Sequence, residues 1–517
     1  TKGGGLTSKL ELAGTTGDTD WFLRGSYVFS EQSRAAPPNN FSWDADAPSI
    51  DFCTDNRCFE GGFGDLDQDQ QDYVLEAEVT RPLFGGNFTA GAEFGLTDAF
   101  KSRPEENRAY YSGDYDPDTV CTDTEDPACI DGEIALLNYL AYRPYEARVQ
   151  IAQTSAWIEQ RQTFGPLDVR AGLRASRDDY LENTEIAPRL SAVWSLTPDW
   201  QVTLGANRYY AGDFVGYSIR AQYPDLFIYG RNPVVSGPDL IYSVDGWNLQ
   251  RASRLAKFRP SDLDTPYSDE ATAALTFPLL NGLGRVKAVQ RWHRDQIVAR
   301  PSERTEETVN GDTFLRFVSF PSNAGATDYL GLSGEWVSSW SNHTLTLNAN
   351  WSETTNRFRS PNAGTYFSRL DEEELATDFV FFDGEIVSLA EIQRIAERED
   401  FATPFEANAS VQSSWLDDTL RTTLWLYYRG EYETIVDTFV NQTIKGEVYD
   451  VFDVATRDAS LRSDFNVAYA LPQTKFGAVE LEVRVSNVFN ELPNTDTGRG
   501  SPYQRGRSVW LGLNYRY

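Results

Sequence analysis

The stretch SVWLGLNYRY (residues 508–517) alternates without an error. Val509, Leu511, Leu513, Tyr515 and Tyr517 fall on one side, and Ser508, Trp510, Gly512, Asn514 and Arg516 on the other. A side-chain period of two belongs to a β-strand and not to a helix. One face of this strand is continuously apolar, while the other carries an arginine and an amide. The pattern recurs upstream. VELEVRVS sets Val479, Leu481, Val483 and Val485 against Glu480, Glu482 and Arg484. LRTTLWLYYR sets Leu420, Leu424 and Leu426 against Arg421, Thr423 and Arg429, and YVLEAEVT sets Tyr73, Leu75, Ala77 and Val79 against Glu76 and Glu78.

Alternation alone also fits a soluble sandwich. Two further features decide between them. Short turns occur at TTGDTD, LFGGN, FGPLD, LTPDW, LLNGLG, SWSNH, WLDDT and LPQTKFG, whereas the alternate connections are long and polar, at roughly residues 30–72, 100–146, 212–266, 297–328, 354–404, 431–458 and 490–507. Short turns on one rim and long loops on the other are the connectivity of a transmembrane β-barrel, and globular domains rarely use many structureless loops of such length. Aromatic residues also crowd the strand ends, as in DWFLRGSYVF, NRYY, LWLYY and NYRY, where the two lipid interfaces require girdles. The apolar face of residues 508–517 is therefore expected to meet hydrocarbon and the polar face a wet or plugged lumen. Closure against the first strand would leave no unpaired edge in lipid.

Composition agrees with this reading. The chain has 517 residues, and its 77 acidic and 46 basic residues give a net charge of −31, which argues against nucleic acid or an anionic lipid surface as the main partner. Aromatics make up 13%, there are 2 His and no Met, and no apolar run is long enough for a membrane-spanning helix. The first residues, TKGGGLTSKL, are neither a start Met nor a signal peptide, so the beginning reads as trimmed. Residues 1–517 are expected to form one all-β domain, a transmembrane antiparallel β-barrel with long extracellular loops. Eight hairpins and the final strand make 17 strands. Bacterial barrels have even numbers, so an odd number of strands is expected ahead of residue 1.

The four cysteines form two close pairs in acidic loops, and local closure as Cys53–Cys58 and Cys121–Cys129 is the simplest pairing. A metal site would want CxxC spacing with nearby His, which is missing there. Disulfides imply an oxidising compartment.

Several motifs resemble the TonB-dependent receptors of bacterial outer membranes. VRVSNVFNE, with Asn487, Val488, Phe489 and Asn490, then Gly506–Arg507 and a last strand closing on an aromatic, is similar to that family's ending. APRLSAVWSLTPDWQVTLGANRYY, with Pro188, Arg189, Leu190 and Trp194, resembles its mid-barrel hairpin, and NAGATDYLG, with Asn323, Gly325 and Gly331, its strand entry. The resemblance covers roughly residues 185–517 by motif and the rest by architecture. It implies a barrel of about 22 strands around an N-terminal plug, of which the plug and about five strands have no counterpart here. It also implies a place in the outer membrane among lipid and lipopolysaccharide, and a TonB-type energy-transducing partner acting through the plug.

No G-x-S-x-G, H-E-x-x-H, P-loop or dinucleotide fingerprint occurs, so an enzyme is not expected. Positive charge concentrates instead in residues 208–259. There Arg208, Arg220, Arg231, Arg251, Arg254, Lys257 and Arg259 are interleaved with Tyr209, Tyr210, Tyr217, Tyr223, Tyr229 and Trp247. Guanidinium forks suit carboxylate or catecholate oxygens, and aromatic faces suit flat chelate rings. A ferric siderophore, a small-molecule metal chelate, fits such a mouth. Arg208, Tyr210, Arg220, Tyr223, Tyr229, Arg231, Trp247 and Arg251 are the candidate ligand-binding residues, with a solvated loop of ion-paired arginines as the competing reading. Cobalamin, an oligosaccharide or a peptide are alternative cargoes. A passive porin and a loop-dominated adhesion or phage-docking protein are alternative classes. No cofactor is expected. The acidic loops around Asp65, Asp67 and Asp69 and around Asp114, Asp116, Asp118, Asp123 and Asp126 offer Ca²⁺ oxygen ligands, with plain solvation as the alternative. SLAEIQRIAERE (residues 388–399) predicts one helix, capped by Ser388 and Glu391, acting as a lid or packing its loop.

Overall fold

Seventeen long strands run in chain order through sixteen antiparallel pairings. They are β1 (Lys2–Thr16), β2 (Thr19–Arg34), β3 (Leu66–Leu83), β4 (Gly86–Arg103), β5 (Tyr145–Phe164), β6 (Leu167–Asp178), β7 (Thr184–Ser195), β8 (Gln201–Tyr210), β9 (Tyr267–Leu279), β10 (Gly282–Pro301), β11 (Asp312–Trp340), β12 (His343–Asn356), β13 (Phe405–Trp415), β14 (Leu420–Arg429), β15 (Ser460–Ala470), β16 (Ala478–Ser486) and β17 (Ser508–Arg516). This computed structural model describes residues 1–52, 57–255, 259–301, 305–309, 312–356, 379–388, 404–444, 447–472, 477–491 and 506–516. The strand count matches the sequence reading.

Register fixes which side chains share a face. Leu12 faces Leu23, Leu75 faces Phe94, Leu347 faces Ala409, and Val483 faces Leu511. The apolar face is also the exposed one: Leu10 is 71% exposed, Leu204 52% and Leu513 66%. That is the burial pattern of a wall whose outer side meets hydrocarbon. The opposite face carries the charges, cross-linked between strands. Arg24 bridges Glu11 and Glu76 at 2.9 and 3.0 Å, Trp157 Nε1 donates to Glu78 at 3.1 Å, Arg174 meets Glu93 at 2.9 Å, and Arg421 pairs with Glu480. A lumen of this kind is polar and wet. Tight two-residue turns join several strands on one rim, with Phe84 and Gly85, and Leu280 and Asn281, all at positive φ, as twist-matched hairpin turns require. Trp340 and Trp415 flank His343 on the outer face of that rim, and Tyr27 packs against Tyr73 near the other end, forming parts of two girdles.

Above this second girdle the polarity of the wall inverts along one register row. In β5, Ala152, Thr154, Ala156 and Ile158 point outward, but from Ile151 upward the outward positions are Gln150 and Arg148 while Ala147, Val149 and Ile151 point inward. Gln71, Asp98 and Gln150 lie side by side on the outside, as do Arg208, Asp269, Trp292 and Asp328 farther round. The strands leave lipid at this row, and water takes over outside.

Two expectations need correction. The long connections are not structureless. Asn39–Asp44, Arg57–Gly61, Asn107–Tyr111, Asn138–Tyr142, Leu226–Gly230, Asn248–Leu255 and Thr305–Val309 extend the same sheet above the membrane, because backbone groups brought together there still need partners. Closure between the first and last strands is also not formed among the described residues: β1 pairs with β2 and β17 with β16. An antiparallel run of 17 strands leaves its first and last strands pointing the same way, so they cannot join in the antiparallel pattern.

The disulfide Cys121–Cys129 is present, with its Cα atoms 6.0 Å apart. Cys58 is also disulfide-bonded, and its expected partner Cys53 lies outside the described residues. The helix expected at residues 388–399 falls there too from residue 389, with Ser388 closing the strand Glu385–Ser388. The helix that is described, α1 (Val215–Arg220), was not foreseen.

The two faces predict opposite responses to one substitution. Leu347→Arg, on the lipid side, should lower the unfolding free energy in detergent or bilayer by about 2–4 kcal/mol, whereas Thr346→Arg, facing the lumen, should change it by less than about 1 kcal/mol. Denaturant titration followed by heat-modifiable gel mobility distinguishes them, and equal losses would contradict the assignment of faces.

Candidate ligand site at the extracellular end

The extramembrane strands place aromatic residues opposite one another. Phe41 pairs with Tyr110, Tyr110 with Tyr139, and Tyr139 with Tyr229, across four neighbouring strands. Their rings form a ladder, with centroids 5.1, 5.2 and 4.8 Å apart. Trp43 stacks on Phe41 at 5.4 Å, and Trp247 meets the edge of Tyr139 at 4.7 Å. Cross-strand aromatic pairs each add up to about 1 kcal/mol to a sheet, so this extension is a packed layer in its own right. Arg108 lies over the Tyr139 ring at 5.3 Å and pairs with Glu106 at 2.8 Å.

Arg231 holds a loop onto the ladder. Its guanidinium pairs with Asp126, donates from Nε to the Leu136 carbonyl at 3.0 Å and from Nη2 to the Ala128 carbonyl at 2.8 Å, and lies over Trp247 at 4.3 Å. Asp126, Ala128 and Leu136 all belong to the segment closed by Cys121–Cys129 or lie just beyond it. Arg231 and Asp126 are 2% and 6% exposed. With every direction of the fork used, Arg231 is a clamp and not an open anion receptor.

The other candidates scatter. Tyr229 and Trp247 share the ladder with Arg231. Arg251 pairs with Ile228 across a bulge and not with a ladder residue. Tyr223 belongs to a second group, 4.6 Å from Tyr145 and with the Lys101 ammonium 5.7 Å from its ring. Arg220 ends α1. Arg208 forms two 2.7 Å bonds to Asp269 and lies 4.2 Å from the Tyr267 ring, beside Tyr210. Both Arg208 and Tyr210 share the register parity of Leu204 and so point outward, away from the mouth. The side chain of Arg254 and all of Lys257 lie outside the described residues. Sequence reasoning missed Phe41, Tyr110, Tyr139, Lys101 and Arg103. The signal was available in NRAYY (residues 107–111) and NYLAYRPYEAR (residues 138–148), which interleave aromatic and basic residues as residues 208–259 do.

The acidic loops are built as turns. Asp116, Asp123 and Asp126 accept N–H bonds from Asp118, Glu125 and Ala128, the habitual use of Asp at such positions. Among the described residues no three or more His, Cys, Asp or Glu side chains gather as a metal site.

Two outcomes follow. Arg231→Ala leaves Asp126 buried and uncompensated, at a cost of about 3–5 kcal/mol, and should speed amide exchange at residues 121–136 well before the transmembrane strands respond. Unchanged exchange there would show that Arg231 is not the clamp. Burial pushes the Tyr139 phenol up to about 12, against about 10 in an unfolded chain. A neutral form favoured by folding contributes fully below the lower value, and its stability is lost as pH rises from about 10 to 12. Subtracting the 295 nm titration of Tyr139→Phe from that of the parent should reveal one late tyrosinate step, and a step near 10 would remove burial as the cause.

No family model matches the chain. The uncharacterized protein YddB of Escherichia coli K12 is 21% identical over 475 residues, covering 89% of this chain and 54% of YddB, so the chain spans about half the length of that curated relative. Among solved structures, the outer membrane transporter YddB superposes with a TM-score of 0.67 at 16% identity, covering 99% of this chain and 62% of its own. The siderophore receptor PirA of Acinetobacter baumannii gives 0.58 at 12% identity, over 98% and 62%. The ferric enterobactin receptor PfeA of Pseudomonas aeruginosa gives 0.60 at 13%, over 98% and 61%. The fold of this chain is that of the β-barrel of TonB-dependent outer-membrane receptors.

Proposed function

We propose that the chain is the barrel of an outer-membrane receptor that captures a scarce ligand outside the cell and takes it up by TonB-coupled active transport, and that a ferric siderophore is the cargo. The observation that carries this reading is the extracellular extension: aromatic faces and cations concentrated above the lipid on a strongly acidic chain, continuous with a charged lumen. Flat, anionic chelates are recognised by this chemistry. The reading also draws on the names of similar proteins, PirA being a siderophore receptor and PfeA a ferric enterobactin receptor. Those solved structures are of receptors and a transporter and not of enzymes. Tyr223, Tyr229, Trp247 and Arg251 remain proposed ligand contacts, with Arg231 packed over Trp247.

A second reading, a passive channel, is favoured by one observation. α1 packs against the inner wall, as a constriction loop of the same chain would. The two readings differ in energy dependence. Cells that rely on the full-length protein should accumulate radiolabelled iron from a panel of ferric siderophores only while the proton-motive force and a TonB-type protein are present. A loss of most of the uptake rate on removing either supports the receptor. Uptake that persists and tracks the concentration gradient supports the channel.

A further inference from the structure

Hairpin turns that match the twist of their strands hold central residues at positive φ, where Gly, Asn and Asp are at ease and a bulky side chain is strained. On the short-turn rim, three turns nevertheless begin with a bulky apolar residue in this region: Phe84 at φ 54°, Leu280 at 47° and Leu416 at 53°. These side chains pack on little within the chain, Phe84 being 77% exposed, Leu280 80% and Leu416 67%. Turn chemistry and cohesion both argue against them, so what they gain lies outside the chain. The carbonyls of the same turns point to where. Trp336 Nε1 donates to the Leu279 carbonyl at 2.8 Å, Ser338 Oγ to Asn281 at 3.2 Å, Gln160 Nε2 to Leu83 at 3.1 Å and Gln162 Nε2 to Phe84 at 2.9 Å. All four donors stand on the outer face, Trp336 sharing a register row with Leu347 and Gln160 the parity of Ile158. Open water would serve those carbonyls without help, whereas a boundary poor in water requires donors from the protein.

We propose that Phe84, Leu280 and Leu416 are rim anchors, seated at the boundary between acyl chains and headgroups of the phospholipid leaflet on the short-turn side, and that they fix how deep the barrel rides in the membrane. The occupant is lipid because the anchors continue the lipid-facing wall without a break. Leu280 follows Leu279 of β9, and Leu416 follows Trp415, whose ring meets His343 on the outer face. Length agrees, since a tilted strand crosses hydrocarbon in about 9–11 residues. β13 has 11 residues from Phe405 to Trp415, and β9 runs from Asp269, on the row where the wall leaves lipid, only to Leu279 before it turns. The hydrocarbon therefore ends at the turns and not within the strands. The described residues of the eight short turns contain no Lys or Arg and instead carry Asp18, Asp199, Asp417 and Asp418, so the attraction is apolar and not a pull toward anionic headgroups. Burial of a whole Leu or Phe side chain outweighs the strain of one left-handed residue, and the conflict seen in water resolves in lipid. The inference rests on the barrel fold and is independent of any cargo.

The test uses the full-length protein in vesicles of a zwitterionic phospholipid, with heat-modifiable mobility confirming that the barrel has formed. Nitroxide labels are placed one at a time through Phe84→Cys, Leu280→Cys and Leu416→Cys. Leu347→Cys serves as the reference in hydrocarbon, and Val235→Cys, 68% exposed in the extramembrane layer, as the reference in water. Collision with oxygen should dominate over collision with an aqueous nickel chelate at all three turns, as at position 347. Dominance of the nickel chelate there, as at position 235, overturns the anchors and leaves the turn tips in water, open to a protein partner. Stability gives a second readout, in which turn chemistry and lipid anchoring predict opposite signs. Phe84→Asn and Leu280→Asn suit a positive φ better than the parent residues do, yet each should lower the urea midpoint in these vesicles. A midpoint unchanged or raised in both variants overturns the proposal. Neither readout involves ligand uptake or energy coupling.

Discussion

Everything in this molecule depends on one constraint: inside hydrocarbon, a backbone N–H or C=O left without a partner costs several kcal/mol, and no water is there to help. An extended chain meets it by pairing with neighbours on both sides. Pairing fixes the side-chain period at two, and that period separates a face that must be apolar from a face that need not be. Leu347 and Thr346, adjacent in sequence, therefore live in different solvents. The charged lumen follows as a permission and not a requirement. Arg24, Glu11 and Glu76 are tolerated because the sheet shields them from lipid, and cross-strand pairing leaves each with a partner.

The constraint lapses where the lipid ends. The wall inverts within one residue step, from Ala152 outward to Ile151 inward, and the same strands continue as the scaffold of a water-exposed layer. That layer needs its own core and has two. One is the aromatic ladder from Phe41 to Tyr229, sealed by the Cys121–Cys129 loop under Arg231. The other is the α1 seat against β5. Both cores lie at the extracellular end of the barrel, so their packing sets the shape of its mouth. The buried Arg231–Asp126 pair illustrates this: its charge is spent on holding the loop that shapes the surface.

Much of the barrel was legible because the signal is local. Residues 508–517 declare their two faces without reference to any other strand, and rim asymmetry needs only turn lengths. The Cys121–Cys129 bridge was legible for the same reason, its partners being eight residues apart. What was not legible is set by contacts between segments far apart in sequence. The ladder pairs Phe41 with Tyr110 and Tyr139 with Tyr229, and nothing within any one of these segments names its neighbour. Arg208 and Tyr210 illustrate a second limit. Composition places them in a basic, aromatic stretch, but register with Asp269 and Tyr267 turns them outward, because they continue the outer face of β8 past the lipid row. Arg231 illustrates a third, since a guanidinium looks the same in sequence whether it meets a ligand or a buried Asp126.

The most direct test of the account is a cysteine scan along residues 147–158 of the full-length protein in membranes, read with one lipid-phase and one aqueous thiol reagent. The account predicts lipid-phase labelling at positions 152, 154, 156 and 158, aqueous labelling from outside at 148 and 150, and protection at 147, 149 and 151 beneath α1. Labelling that keeps a single phase along the whole strand, with 148 and 150 as lipid-accessible as 156 and 158, would contradict it.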